Sequence, residues 1–206
     1  DATAQVPFTV STDHVGPDEA RAGRWVSGTF GWWWRYEDGN YPTSTQLRID
    51  GAIYRFNARG YMVTGWVYED GQWYYYGASG GQAAGWVRVH GTWYYLDPLT
   101  GAMASGWTKV QGTWYYLSSS GAMRTGWVRD GSAWYYLTSS GALATGWQRV
   151  GSSWYYLSPD GGAMVTGWLR DGDAWYYLTS SGAMATGSRW IDGTRYAFDG
   201  EGRLMP

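Results

Sequence analysis

The chain has no cysteine, so disulfides and thiolate metal sites are closed to it. It has two histidines, His14 and His90, and neither comes with a partner set by spacing. No run of about 18 apolar residues occurs, which excludes a membrane-spanning helix. Charge is also scarce: 15 Lys and Arg against 17 Asp and Glu leave a net charge of −2 over 206 residues. That balance gives no long-range pull on nucleic acid. Aromatic proteins that bind single strands add a basic groove, and none is encoded here. What the chain does have is 17 Trp, 19 Tyr and 32 Gly. So many aromatics do not suit a polar disordered chain; they are buried, or they bind something.

The aromatics are periodic. The stretch from Gly106 to Gly126, GWTKVQGTWYYLSSSGAMRTG, is copied with small changes along most of the chain. Opening tryptophans fall at Trp66, Trp86, Trp107, Trp127, Trp147 and Trp168, in steps of 20, 21, 20, 20 and 21 residues. A second Trp follows each after seven residues: Trp73, Trp93, Trp114, Trp134, Trp154 and Trp175. A fixed period near 20 means an array of stacked units. Within one unit, Trp107 to Val110 reads as a strand, Gln111-Gly112 as a tight turn, and Thr113 to Leu117 as a second strand. Asp70-Gly71, His90-Gly91, Asp130-Gly131 and Asp171-Gly172 are expected at the same turn, with glycine supplying the positive φ. A lone hairpin is marginal in water, so the array is the folding unit.

Strand alternation puts Trp114 and Tyr116 on one face and Tyr115 and Leu117 on the other. In a stack, the two Trp of one copy then meet the first Tyr of the next: Trp107 and Trp114 with Tyr135, and Met123 of the connecting loop as a floor. Three aromatic walls suit a quaternary ammonium, each good contact contributing roughly 0.5–2 kcal/mol. The Tyr116 and Leu117 positions read as core. For the two Trp and the first Tyr, periodicity alone leaves core and binding both open.

The string GW-x6-WYYL-x3-GAM-x-TGW, from Gly106 to Trp127, resembles the choline-binding, or cell-wall-binding, repeat family of Gram-positive bacteria and their phages. The resemblance covers residues 24–206. It implies an all-β solenoid of β-hairpins, wound as a left-handed superhelix. It also implies choline, usually esterified to teichoic acid, held between consecutive hairpins by two Trp of one repeat and an aromatic of the next. An extracellular place at the bacterial surface follows from the same resemblance, as does the expectation that any catalytic domain lies outside these residues.

Nine copies are counted in all. Trp25 and Trp32 hold the Trp positions of the first, with Trp33 and Trp34 after them. The second is worn: Gln46 and Ile53 replace both Trp, while Tyr54 survives at the first-Tyr position. The last is worn in the same way, with Ser188 and Arg195 at the Trp positions and Tyr196 retained. Two worn copies keeping that one Tyr supports it as the wall donated backwards. Seven trios result: Trp25, Trp32, Tyr54; Trp66, Trp73, Tyr94; Trp86, Trp93, Tyr115; Trp107, Trp114, Tyr135; Trp127, Trp134, Tyr155; Trp147, Trp154, Tyr176; and Trp168, Trp175, Tyr196. The junction after Gln46 and Ile53 is expected to be empty or a plain packing contact. Floors are assigned to the loop of the same copy: Gln82, Met103, Met123, Leu143, Met164 and Met184, with Gln82 an unfavourable floor for the Trp66 site. Trp190 and Phe198 are expected to cover the C-terminal end, with Arg203 and Met205 as a cap.

Residues 1–23 do not repeat and read as a linker or stalk, with a short strand at Val6 to Val10. The chain opens at Asp1 without a signal sequence, as a mature form or excised fragment would. A basic residue stands two after the opening position in most copies (Arg48, Arg88, Lys109, Arg129, Arg149, Arg170). That stripe reads as charge keeping strand edges soluble, or as a phosphate contact. No catalytic constellation, phosphate-cradling loop or metal motif is present, so neither enzyme activity nor a cofactor is expected. Besides choline or choline-bearing teichoic acid, a glucan or peptidoglycan glycan stacked on Trp faces is an alternative ligand. A spacer or self-association rod with every aromatic in the core is another reading.

Overall fold

The computed structural model describes residues 17–206, and in them every regular element is a β-strand. The expected strand at Val6 to Val10 and His14 lie outside the described residues. The strands are β1 (Gly23–Gly28), β2 (Gly31–Tyr36), β3 (Thr45–Ile49), β4 (Ala52–Phe56), β5 (Gly65–Glu69), β6 (Gln72–Tyr76), β7 (Gly85–Val89), β8 (Thr92–Leu96) and β9 (Gly106–Val110). They continue as β10 (Thr113–Leu117), β11 (Gly126–Asp130), β12 (Ala133–Leu137), β13 (Gly146–Val150), β14 (Ser153–Leu157), β15 (Gly167–Asp171), β16 (Ala174–Leu178), β17 (Gly187–Ile191) and β18 (Thr194–Phe198). Among the described residues they form nine two-stranded sheets, each from consecutive strands, which is the hairpin series of a solenoid protein. The described residues divide into two compact units, one comprising residues 17–87 with Tyr95–Met103, the other Arg88–Tyr94 with Ala104–Pro206.

Two kinds of turn close the hairpins after the first. At Gln111-Gly112 both residues have positive φ, 48° and 87°, as a type I′ turn requires. In the hairpin of β11 and β12, Asp130 pairs with Ala133, so the turn is Gly131-Ser132 and not Asp130-Gly131. Gly131 has φ 58° there, with glycine at the first central position as in a II′ turn. The hairpin of β15 and β16 repeats this, with Asp171 paired to Ala174 and Gly172 at φ 58°. Asp130 and Asp171 are thus strand residues. The glycine had moved one place forward, and the two-residue span between the paired ends fixes the register.

In each unit the core is built on the last residue of the second strands from β4 onwards. Leu117, Leu137, Leu157 and Leu178 are fully buried in the second unit, and Phe56, Tyr76 and Leu96 in the first. The Tyr116 position is only half-buried, packed edge-on against Trp107 of its own hairpin at 5.0 Å. Loops stitch each unit together. The loop after β12 returns along its own hairpin, Ala144 N–H donating to Tyr136 O, and Leu143 N–H donates back to Trp114 O at 2.8 Å. Equivalent bonds of 2.7–2.8 Å recur at every copy, from Met62 to Trp32 through to Leu204 and Trp175.

Both ends depart from expectation. At the C-terminus Phe198 is buried, but Trp190 is 74% exposed and Met205 largely so. Trp190 pairs with Arg195 on the face that carries the two Trp in other copies and stays exposed there, while Ile191, on the opposite face, is buried with Phe198, Ala185 and Leu204. Arg203 pairs with Glu201 at the surface. Near the N-terminus, residues 18–20 lie along β3: Arg48 N–H donates to Asp18 O at 2.9 Å, and Ala20 N–H to Arg48 O at 2.8 Å.

Candidate functional site: aromatic boxes between hairpins

In the hairpin of β9 and β10, Trp107 pairs with Tyr116 and Lys109 with Trp114. Both Trp therefore lie on one face, with the other face left to Tyr115 and Leu117. In the following hairpin the corresponding second face carries Asp130, Val128, Tyr135 and Leu137. That face is turned to the Trp face of the copy before it. Trp107 and Tyr135 meet edge-on with centroids 4.9 Å apart at 69°. The contact repeats at Trp127 and Tyr155 (4.8 Å, 67°), Trp147 and Tyr176 (4.9 Å, 61°) and Trp168 and Tyr196 (4.8 Å, 73°).

The two Trp of a hairpin are also steeply inclined. Trp127 and Trp134 lie 6.5 Å apart at 88°, and Trp168 and Trp175 6.3 Å apart at 85°. Three rings at such angles enclose a space and do not form a platform. Around Trp127, Trp134 and Tyr155 that space is a cavity of 260 Å³, completed by Met164, Ser180 and Ser181. Its lining comes from three consecutive copies. In the first unit Trp25 meets Tyr54 at 4.8 Å, so the worn second copy still supplies that wall. Trp66 and Trp73 of the first unit meet at 6.4 Å and 88°, while Tyr94 belongs to the second unit. Trp86 belongs to the first unit, and Trp93 and Tyr115 to the second.

The floor differs from expectation by one copy. Met164 N–H donates to Trp134 O at 2.7 Å, which places Met164, and not Leu143, in the box of Trp127. By the same bond Leu143 serves Trp114, Met123 serves Trp93, Met103 serves Trp73, and Met184 serves Trp154. Met62 and Leu204, absent from the expected set, stand at Trp32 and Trp175. The cause is the return of the loop: having passed its own hairpin, it pairs with the one before. Met164 is held from below by Gly182, which has φ 81° and where a Cβ would overlap the Met164 sulfur.

A second feature escaped the sequence reading. Trp107 Nε1–H donates to Asp130 Oδ2 at 3.0 Å, and Trp147 Nε1–H to Asp171 Oδ2 at 2.8 Å. Each carboxylate fixes an indole ring and leaves a negative charge beside a box, a favourable neighbour for a cation. The one usable signal was that Asp130 and Asp171 precede a glycine one position early. The basic stripe has a place as well. Lys109 Nζ lies 5.7 Å from the Trp114 ring centroid, and Arg88 Cζ 5.9 Å from that of Trp93, so these cations sit against the outer Trp.

The junction after Gln46 and Ile53 is not a packing contact. It is an open polar cleft of 550 Å³ lined by Gln46, Ile53, Tyr74 and Gln82 among others. Gln82 N–H donates to Ile53 O at 2.7 Å, so Gln82 belongs here and not to the Trp66 site.

The chain matches the family model of the choline-binding repeat five times, over residues 43–84, 70–106, 104–145, 144–188 and 165–205. No curated protein matches it. Among solved structures it is similar to choline-binding protein F of Streptococcus pneumoniae, determined in the presence of a peptidoglycan analogue. The identity is 37% and the TM-score 0.74, over 85% of this chain and 61% of that one. The choline-binding domain of CbpL from the same species is 31% identical with a TM-score of 0.66, over 90% and 98% of the two chains. The modular autolysin LytC of S. pneumoniae is 34% identical with a TM-score of 0.66, over 89% and 42%. The chain thus spans about three fifths of choline-binding protein F and less than half of LytC. With repeats matched from residue 43 to 205 and the first hairpin in the same register, this chain belongs to the choline-binding repeat family.

Proposed function

We propose that this chain is a non-catalytic module that holds choline groups in its aromatic boxes and so attaches the protein carrying it to choline-bearing teichoic acid at the bacterial surface. The carrying observation is the box of Trp127, Trp134 and Tyr155 over Met164, whose steep ring angles suit a compact cation. A trimethylammonium presents methyl groups in several directions, and each ring face offers it negative quadrupole potential. Met164 adds a polarizable, apolar floor. The five boxes that lie wholly within one unit open with Trp25, Trp107, Trp127, Trp147 and Trp168. Each site is small and weak, and attachment comes from several of them engaging one polymer.

Equilibrium dialysis against choline tests the reading by counting sites. Several weak sites per chain, with competition by phosphocholine and none by phosphoethanolamine, are expected. A single site, or equal competition by the two phosphate esters, would overturn it.

A further inference from the structure

The cleft in the first unit is built on the plan of a box with its chemistry exchanged. Gln46, Ile53, Tyr74 and Gln82 take the positions that Trp127, Trp134, Tyr155 and Met164 take in the second unit. Leu99 and Thr100 close it where Ser180 and Ser181 close the other. Only the Tyr is kept.

The replacements follow the site and not the repeat. Gln46 and Ile53 belong to the worn second copy. Gln82 ends the next copy, which has both its tryptophans, Trp66 and Trp73. Tyr76, in the same copy, stands where the five following copies have the buried Leu, and its hydroxyl accepts a hydrogen bond from Gln46 Nε2 at 2.9 Å. Arg55, in place of the second Tyr, pairs with Glu69. Simple decay of one copy would leave its neighbour's floor and core residue unchanged. Here residues from two copies changed in one place, and the result is a larger and more polar space, 550 Å³ against 260 Å³.

The charges select against anions. Arg55 is paired with Glu69, and Arg48 lies 3.5 Å from Glu19. Asp18 and Asp70 also line the cleft, so an anion meets carboxylates. A quaternary ammonium finds one ring where the boxes offer three. One aromatic face beside two side-chain amides, with amide oxygens to accept and N–H groups to donate, instead matches a ring of C–H groups edged by hydroxyls. The volume lies within the range of small-ligand sites.

We infer that this cleft is a saccharide site, which takes an uncharged sugar ring on Tyr74 with its hydroxyls on Gln46 and Gln82, beside boxes that take choline. The saccharide site itself does not depend on what the boxes bind; only the choline count in the triple variant rests on that reading. The test is an NMR titration of the intact chain with maltotriose and with triacetylchitotriose, with and without saturating choline. At least one sugar should shift the Tyr74 ring resonances saturably, and choline should leave that shift in place. Gln82→Met, which restores the usual floor, should weaken it about tenfold, as one or two lost hydrogen bonds would. The triple change Q46W/I53W/Q82M should abolish it and add one choline site to the dialysis count. If the triple variant fails to fold, Gln82→Met alone decides. No Tyr74 shift with either sugar, displacement of the sugar by choline, or a shift unchanged in Gln82→Met would each overturn the inference.

Discussion

Trp134 and Leu137 sit three residues apart on one strand, and their truncations separate binding from packing. The Trp134 side of β12 lines the box closed by Tyr155 and the residue is 42% exposed, whereas Leu137 is fully buried. Leu137→Ala leaves a cavity in the core, which costs about 2–5 kcal/mol. Trp134→Ala removes a ring already half in water, with a stability loss near the ordinary value of about 1 kcal/mol. It also removes one of three walls around the 260 Å³ cavity. A cation–π contact contributes roughly 0.5–2 kcal/mol, so affinity in that box should fall about 2- to 30-fold. The assay is a choline titration read at the Met164 methyl resonance, which reports that box alone, alongside urea unfolding of both variants. Leu137→Ala should move the unfolding midpoint far and leave the Met164 response near normal in folded protein. Trp134→Ala should do the reverse. Equal midpoint shifts with an unchanged Met164 titration would refute the reasoning and make these rings the core of a structural rod.

Other outcomes follow from the same geometry. Gly182→Ala, at φ 81° over the Met164 sulfur, should destabilise the second unit by about 1 kcal/mol or more and alter the Trp127 box, seen as a shift of the Met164 methyl. Asp130→Ala should move the Trp107 indole N–H resonance and weaken choline at the Trp107 box, leaving the Trp127 box unchanged. Burial pushes the Tyr76 phenol up to about 12. Because that value lies above the unfolded one, its contribution to stability is complete below pH ~10 and is lost as pH rises towards ~12. An ultraviolet pH titration should show a late-ionising tyrosine that disappears in Tyr76→Phe.

The repeat made most of the fold legible. Period, the seven-residue Trp spacing and the glycine turns fix hairpins, and alternation correctly turned Tyr135 towards Trp107. What stayed hidden depends on where loops go. Met164 looks like the end of its own copy, and nothing local says that its N–H reaches back to Trp134. The same backward reach explains Gln82, which reads as a blemish in an intact copy until it is seen opposite Ile53. Trp190 misleads for another reason. Its size suggests a cover, and its parity in β17 does put it on the Trp face of the last hairpin, but there it is left 74% exposed, while Ile191 on the opposite face is buried with Phe198. Asp130 passes for a turn residue because aspartate before glycine usually is one.

The central claim is that the aromatic walls enclose methylated ammonium groups. The most direct measurement is tryptophan fluorescence of the intact chain, titrated with choline, tetramethylammonium and ethanolamine. Saturable changes with choline and tetramethylammonium, and none with ethanolamine at the same concentrations, are the predicted result. A response to ethanolamine equal to that for choline, or no response to either methylated cation, would contradict it.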